Sequence, residues 1–201
     1  TVGAISQLYA ERGRNVILAA PTGKAAKRLE EVTGREACTI HRLLGYRGRT
    51  FLRGPDNPIE ADVVIVDELS MLCVPIAWRL FGAIDLSRTA VVLVGDHNQL
   101  PPVGAGNPLR DLIERRPIST IVLEQVVRQA GALKECCTAI LRGHVTPTIS
   151  VAMAERSPWI VEHRTEVRET QRHVLDLFDG VLAERMGFDL LRDVQLLSPT
   201  R

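Results

Sequence analysis

The sequence has no surplus of charge of either sign: 25 Lys and Arg stand against 24 Asp and Glu, a net of +1 at pH 7. Bulk charge therefore gives no argument for nucleic acid, and any such surface has to be built locally. No apolar run approaches the roughly 18 residues that a membrane-crossing helix needs. The opening residues, Thr1 to Ser6, lack the basic stretch and long apolar run of a secretory leader. Internal repeats and low-complexity tracts are also missing. There are four cysteines (Cys38, Cys73, Cys136 and Cys137) but no CxxC pair, and adjacent Cys136 and Cys137 are poorly placed to bond to each other. Reduced thiols in a cytoplasmic protein with no membrane partner are the expectation.

What remains is an ordinary globular composition, 45% hydrophobic and 24% charged over 201 residues, enough chain for one domain or for one domain and part of another. It begins without Met and ends on Pro199-Thr200-Arg201, so both ends read as cut points in a longer protein. Short apolar runs alternate with helical periodicity. Strands are predicted at Asn15–Ala20, Asp62–Val66, Ala90–Val94 and Thr120–Leu123. Helices are predicted over 2–12, 22–31, 75–84, 107–116 and 132–142, with a short one opening at Thr39. Residues 45–60, rich in Gly and Pro, read as loop or irregular hairpin. Beyond a junction at 147–158, Trp159–Glu162 and Val194–Leu197 read as strands and 166–185 as one long helix. Alternation of this kind implies a parallel α/β sheet with helices against its faces, and ligands then bind where the strands end.

Three strand ends carry unusual residues. Val63-Val64-Ile65-Val66 runs into Asp67-Glu68. Two acids at a strand tip repel unless a cation sits between them. In phosphate-transferring enzymes an Asp at this place holds Mg2+, usually through water, and an adjacent acid can activate the attacking water. The plain alternative is an acidic turn opening a helix. Val92-Leu93-Val94 leads into Gly95-Asp96-His97-Asn98-Gln99-Leu100-Pro101-Pro102, a sequence too particular for a simple Gly-Asp-Asn turn. Here Gln99 can read a phosphate oxygen, and the two prolines stiffen the loop.

The third strand end, Ala19-Ala20-Pro21-Thr22-Gly23-Lys24-Ala25, imitates the close of a Walker A loop. That motif needs a Gly where Leu18 stands and a hydroxyl where Ala25 stands. The better reading is a strand-to-helix turn that meets a nucleic-acid backbone. Thr22 and the helix N-terminal amides would hold a phosphate, and Lys24, Lys27 and Arg28 would add charge; a solvated basic helix face is the alternative. His41, on the short helix opened by Thr39, can touch a phosphate or a base, although a lone His is more often structural. Arg128 can reach across a cleft as an arginine finger, yet in isolation it would read as a surface Arg.

In this order the segments resemble superfamily 1 DNA helicases of the RecD branch, the exodeoxyribonuclease V alpha-subunit type. Ala20 to Leu29 resembles motif Ia, and Thr39 to Leu44 its DNA-contacting companion. Val66 to Met71 resembles motif II, Gly95 to Gly106 motif III and Val127-Arg128-Gln129 motif IV, while Leu196 to Arg201 resembles the strand that opens a second motor domain. The resemblance implies a RecA-like P-loop NTPase fold, with motor domain 1 over 1–146 and the junction and start of motor domain 2 over 147–201. It implies ATP and Mg2+ as ligands, Asp67, Glu68, Gln99 and Arg128 at the nucleotide, and Asp67 as a water-mediated Mg2+ ligand. Single-stranded DNA would cross Pro21, Thr22, Gly23, Lys24 and His41. It further implies 5′→3′ translocation and, for a chain within the complex, other exodeoxyribonuclease V subunits as partners. A Gly-Lys-Thr-Thr loop is expected ahead of Thr1, so the chain reads as a fragment lacking Walker A that binds nucleotide weakly on its own. An inactive RecA-like scaffold, the helicase part of a conjugative relaxase and an RNA helicase are the competing readings.

Overall fold

The computed structural model describes residues 1–123, 132–147 and 159–198. The chain forms two compact units, Thr1–Leu123 and Glu124–Arg201.

The first unit is built on a four-stranded, wholly parallel sheet. Its strands are β1 (Val16–Ala20), β2 (Ala37–Thr39), β5 (Val63–Val66) and β6 (Ala90–Leu93), in the order β2-β1-β5-β6. β3 (Tyr46–Arg47) and β4 (Thr50–Phe51) form a separate antiparallel hairpin. Alternation along each strand sorts its side chains to two faces. Val16, Leu18, Val63, Ile65 and Val92 face α1 (Val2–Glu11) and α2 (Gly23–Thr33), meeting Val2, Ile5, Tyr9 and Leu29. Ile17, Ala19, Val64, Val66, Val91 and Leu93 face the other layer: α3 (Ile40–Leu43), α4 (Val74–Gly82) and α5 (Pro108–Arg115).

Central β5 is buried along its whole length, and each of its four aliphatic side chains contributes up to about 1.5–3 kcal/mol by leaving water. This explains why an unbroken apolar run, rather than an alternating one, marks it in the sequence.

The helix starts follow side-chain chemistry. Thr22 Oγ1 accepts from Ala25 N at 3.2 Å, Thr39 Oγ1 from Arg42 N at 3.1 Å and Asn107 Oδ1 from Arg110 N at 3.1 Å. Each cap is worth about 1 kcal/mol. Gly34 ends α2 in the left-handed region at φ 65°, where a side chain would be strained.

The expected strand Thr120–Leu123 does not form. Its β-branched residues suit a strand, but the sheet offers them no partner, and propensity without pairing does not make a ladder. β2, which carries no apolar run, forms because Leu18, Ala19 and Ala20 pair with Ala37, Cys38 and Thr39.

In the second unit α6 (Ala132–Leu141) and α7 (Val167–Asp176) are helical. The expected single helix over 166–185 changes character after Asp176 and continues as a π-helical stretch, Leu177–Arg185. Trp159–Glu162 and Val194–Leu197 form no strand, and no strand occurs among the described residues of this unit. Trp159 Nε1 instead donates to the Thr146 carbonyl at 2.8 Å, and Glu162 pairs with Arg164 and His173 at 2.8 and 2.9 Å.

Candidate functional site

The register of the sheet sets the site. Ala20 is level with Thr39, Ala19 with Val66, and Val66 with Leu93. Four strands therefore end together, and the residues that follow them stand along one edge. Across the sheet these are His41 after β2, Pro21 to Lys24 after β1, Asp67 and Glu68 after β5, and Asp96 to Gln99 after β6. Such an edge is where open parallel sheets bind ligands.

At the β5 tip, Asp67 N donates to the Ala19 carbonyl at 2.9 Å and prolongs the β1–β5 pairing by one residue. The Asp67 carboxylate accepts from Glu68 N at 2.9 Å. Both acids are half-buried. Glu68 lies in the left-handed region, φ 55° and ψ 42°, an arrangement that costs a non-glycine residue on the order of 1–3 kcal/mol and concentrates at functional sites. The strain ends β5 abruptly and starts the 3-10 turn Leu69–Met71. Two carboxylates and no thiolate or imidazole form an oxygen-only donor set. That suits Mg2+, which keeps most of its waters and takes few protein ligands. No group of three or more metal-ligating side chains occurs among the described residues.

The β6 loop is fastened to this turn at both ends. Leu69 N donates to the Val94 carbonyl and Val74 N to the Ala105 carbonyl, each at 2.9 Å. Space for a side chain is tight at all three glycines of these fastenings and absent at two of them without a shift of the neighbour. A Cβ on Gly95 would lie 3.1 Å from both Leu69 and Leu109, one on Gly104 2.8 Å from Cys73, and one on Gly106 (φ +77°) 2.4 Å from Val74. Between the fastenings the loop arches outward, with Gln99 and Leu100 exposed. A cleft of about 370 Å³ lies beneath, lined by Ser70, Asp96, His97, Gln99, Asn107 and Arg110 together with apolar Leu100, Pro101, Leu109 and Ile113. Asp67 and Glu68 flank this cleft from the neighbouring strand end and do not line it.

On the other half of the edge, Thr22 caps α2, and Lys24 is exposed on its first turn. His41 is not alone. Its ring lies 5.3 Å from Tyr46 in an edge-on arrangement and 6.1 Å from Phe51, Tyr46 and Phe51 are 4.9 Å apart, and the Arg79 guanidinium sits 5.5 Å over Phe51 and 4.8 Å over Trp78. Tyr46 also donates its hydroxyl to the Gly48 carbonyl. The hairpin thus carries a ladder of rings reaching α4. Residues 37–55 contain Arg42, Arg47, Arg49 and Arg53 and no acid. The reading of residues 45–60 as loop or irregular hairpin admitted the hairpin but not its rings. The available signal was Gly48-Arg49 between Tyr46-Arg47 and Thr50-Phe51, a two-residue connection of the kind that makes hairpins. Behind it, burial pushes the Cys38 thiol pKa up, opposed in part by Arg42.

Arg128, with its neighbours Val127 and Gln129, lies outside the described residues, as does the Pro199-Thr200-Arg201 terminus.

The AAA domain family model matches residues 1–165, most of the chain, and the protein belongs to that family. It is RecD-like within it. The chain is 48% identical over 131 residues to the ATP-dependent RecD2 DNA helicase of Deinococcus radiodurans, covering 65% of this chain and 18% of that protein. It is 34% identical over 195 residues to the RecBCD enzyme subunit RecD of Mycolicibacterium smegmatis, covering 83% of this chain and 35% of that protein. The matched regions thus span 18% and 35% of the length of these relatives. A Bacteroides Pif1 helicase solved with ADP-AlF3 and ssDNA overlaps 81% of this chain and 46% of its own, at 19% identity and a TM-score of 0.43. No helix among the described residues is long and apolar enough to cross a membrane.

Proposed function

We propose that this chain is part of the motor of an ATP-dependent DNA helicase. The observation that carries the reading is the common edge, where two acids, a phosphate-reading amide loop and a basic, ring-bearing ledge follow four strands that end in register. The printed activities of the RecD2 and RecD relatives support it.

Asp67 would hold Mg2+ through water beside the ATP phosphates, and the bound ion supplies charge neutralisation there. The chain's own residues do the rest. Glu68, held by its left-handed backbone at the strand tip, takes a proton from the attacking water. Gln99, on the arched loop, reads the presence of the γ-phosphate and passes it to the loop. Arg128 serves as the arginine finger that stabilises the charge on the transferred phosphoryl group. Pro21, Thr22, Gly23, Lys24 and His41 hold single-stranded DNA, and the Tyr46–Phe51 ledge extends that track. Motor domain 1 then occupies 1–146, motor domain 2 begins within 147–201, and movement is 5′→3′. The setting is cytoplasmic, and other exodeoxyribonuclease V subunits are the partners if the protein works in a complex.

The test uses the full-length protein. ATP hydrolysis is measured with and without single-stranded DNA, and unwinding is compared on duplexes with 5′ or 3′ tails. Strong DNA stimulation and a 5′-tail preference are expected. Absence of stimulated hydrolysis sinks the motor and leaves a scaffold. Equal or better unwinding of RNA overturns the choice of substrate.

A further inference from the structure

Among the described residues, one buried side-chain oxygen has no hydrogen-bond partner, and it lies in this site. Ser70, two residues beyond Glu68, is 3% exposed, and its Oγ is unbonded. A buried hydroxyl without a partner costs on the order of 1–3 kcal/mol, and natural proteins rarely keep one without a use. Ser70 lines the cleft under the β6 arch.

Most polar groups around that cleft are committed. Asp96 accepts from Asn98 N at 2.9 Å, Asn107 caps α5, and Arg110 and Glu114 pair at 2.6 Å. The Gln99 carboxamide, on the same cleft, makes no side-chain hydrogen bond among the described residues. A second observation points the same way. Leu100 lines the cleft yet is 85% exposed, above Leu109 and Ile113. Inward movement of the arch would bury Leu100 and bring Gln99 toward Ser70, while the fastenings at Leu69–Val94 and Val74–Ala105 keep the ends in place. Apolar burial and a new hydrogen bond both favour that closed form.

We propose that Ser70 is a positioning residue: when the arch closes, its hydroxyl donates to the side-chain carbonyl of Gln99 and fixes the carboxamide that reads the phosphate. The inference rests on the motor reading and adds to it a direct link between the segment bearing the acids and the segment bearing the amide. His97 is the other uncommitted group on the cleft, and the Gln99→Ala background in the test below tells the two partners apart. A carboxamide can accept from Ser70 and still donate to a phosphate oxygen.

The test is Ser70→Ala in the full-length protein, alone and combined with Gln99→Ala. The open form gives the hydroxyl no bond, so Ser70→Ala is expected to leave the melting temperature unchanged or raised. It is expected to lower the DNA-stimulated kcat about tenfold, the size of one lost hydrogen bond, with KM for ATP within twofold. In the Gln99→Ala background the same change is expected to alter kcat less than twofold, because the two act as a pair. A kcat for Ser70→Ala within twofold of wild type overturns the proposal. So does a full tenfold loss in the Gln99→Ala background, and so does a melting temperature lowered by more than about 5 °C, the mark of a merely structural hydroxyl. A wild-type protein without DNA-stimulated hydrolysis defeats the motor reading and takes this inference with it. An active wild type matched by Ser70→Ala defeats this inference alone.

Discussion

The two halves of the sheet edge are made by different means. On the β2–β1 side the groups proposed to meet DNA are already held. Thr22 is engaged in a helix cap, His41 in a ring contact, and Tyr46 and Phe51 in a ladder that ends under the Arg79 guanidinium. On the β5–β6 side the groups carry cost. Glu68 is in a left-handed backbone, Ser70 has an unbonded hydroxyl, and Leu100 stands in water on an arch. A surface that only grips a polymer benefits from being finished before the polymer arrives. A surface that has to respond to a phosphate needs something left to complete, and strain and unmet hydrogen bonds are where that capacity is stored.

The comparison can be broken most sharply at Glu68. Glu68→Gln is expected to cut DNA-stimulated phosphate release about 10³-fold, the range for loss of a general base, and to leave single-stranded DNA affinity within twofold. An equal loss in both would mean that the halves are not separable. Next in size, Gly106→Ala forces a side chain into a position where φ is +77° and Val74 is 2.4 Å away. Denaturant unfolding is expected to show a loss of about 3 kcal/mol, and an unchanged midpoint would show that the loop is not fastened there. On the gripping side, Tyr46→Ala is expected to weaken single-stranded DNA binding about tenfold, as one lost stacking contact does, without changing hydrolysis in the absence of DNA. Lys24→Ala is expected to weaken binding only a few-fold and to reduce the slope of affinity against salt by about one counterion; titrations at three salt concentrations read this directly.

The smallest effect concerns Cys38. Because burial raises its pKa, the folded protein keeps this proton after the unfolded chain has lost it. Stability therefore falls as pH rises from the ordinary thiol range of about 8.5. Cys38→Ala is expected to flatten that alkaline decline in a pH series of melting curves.

Much of this edge was legible in the residues. The unbroken apolar run closed by two acids marked the buried central strand and where it ends, and Thr22, Thr39 and Asn107 announced helix starts that the structure keeps. Other features were not legible, for definite physical reasons. β2 exists only through its neighbour, since Ala37-Cys38-Thr39 has no pattern of its own. Thr120–Leu123 has the pattern and lacks the neighbour. The ring ladder joins residues from three separate segments, so no local window contains it. The isolation of Ser70 Oγ depends on what surrounds it in space, and its one local sign was a hydroxyl set within Leu69-Ser70-Met71-Leu72. The Arg128 expectation lies outside the described residues.

The hairpin that bears Tyr46 and Phe51 has only two paired residues on each strand, too few to stand unaided in water. It is propped by Phe51 against the core beneath β5, by the Leu52 and Arg53 N–H groups donating to the Leu44 carbonyl at 3.1 Å, and by the Arg79 guanidinium over Phe51 and Trp78. Its persistence is consequently borrowed from the layer under the sheet: a change that loosens Leu44 or Phe51 takes the ledge with it, whatever the two short strands could manage alone.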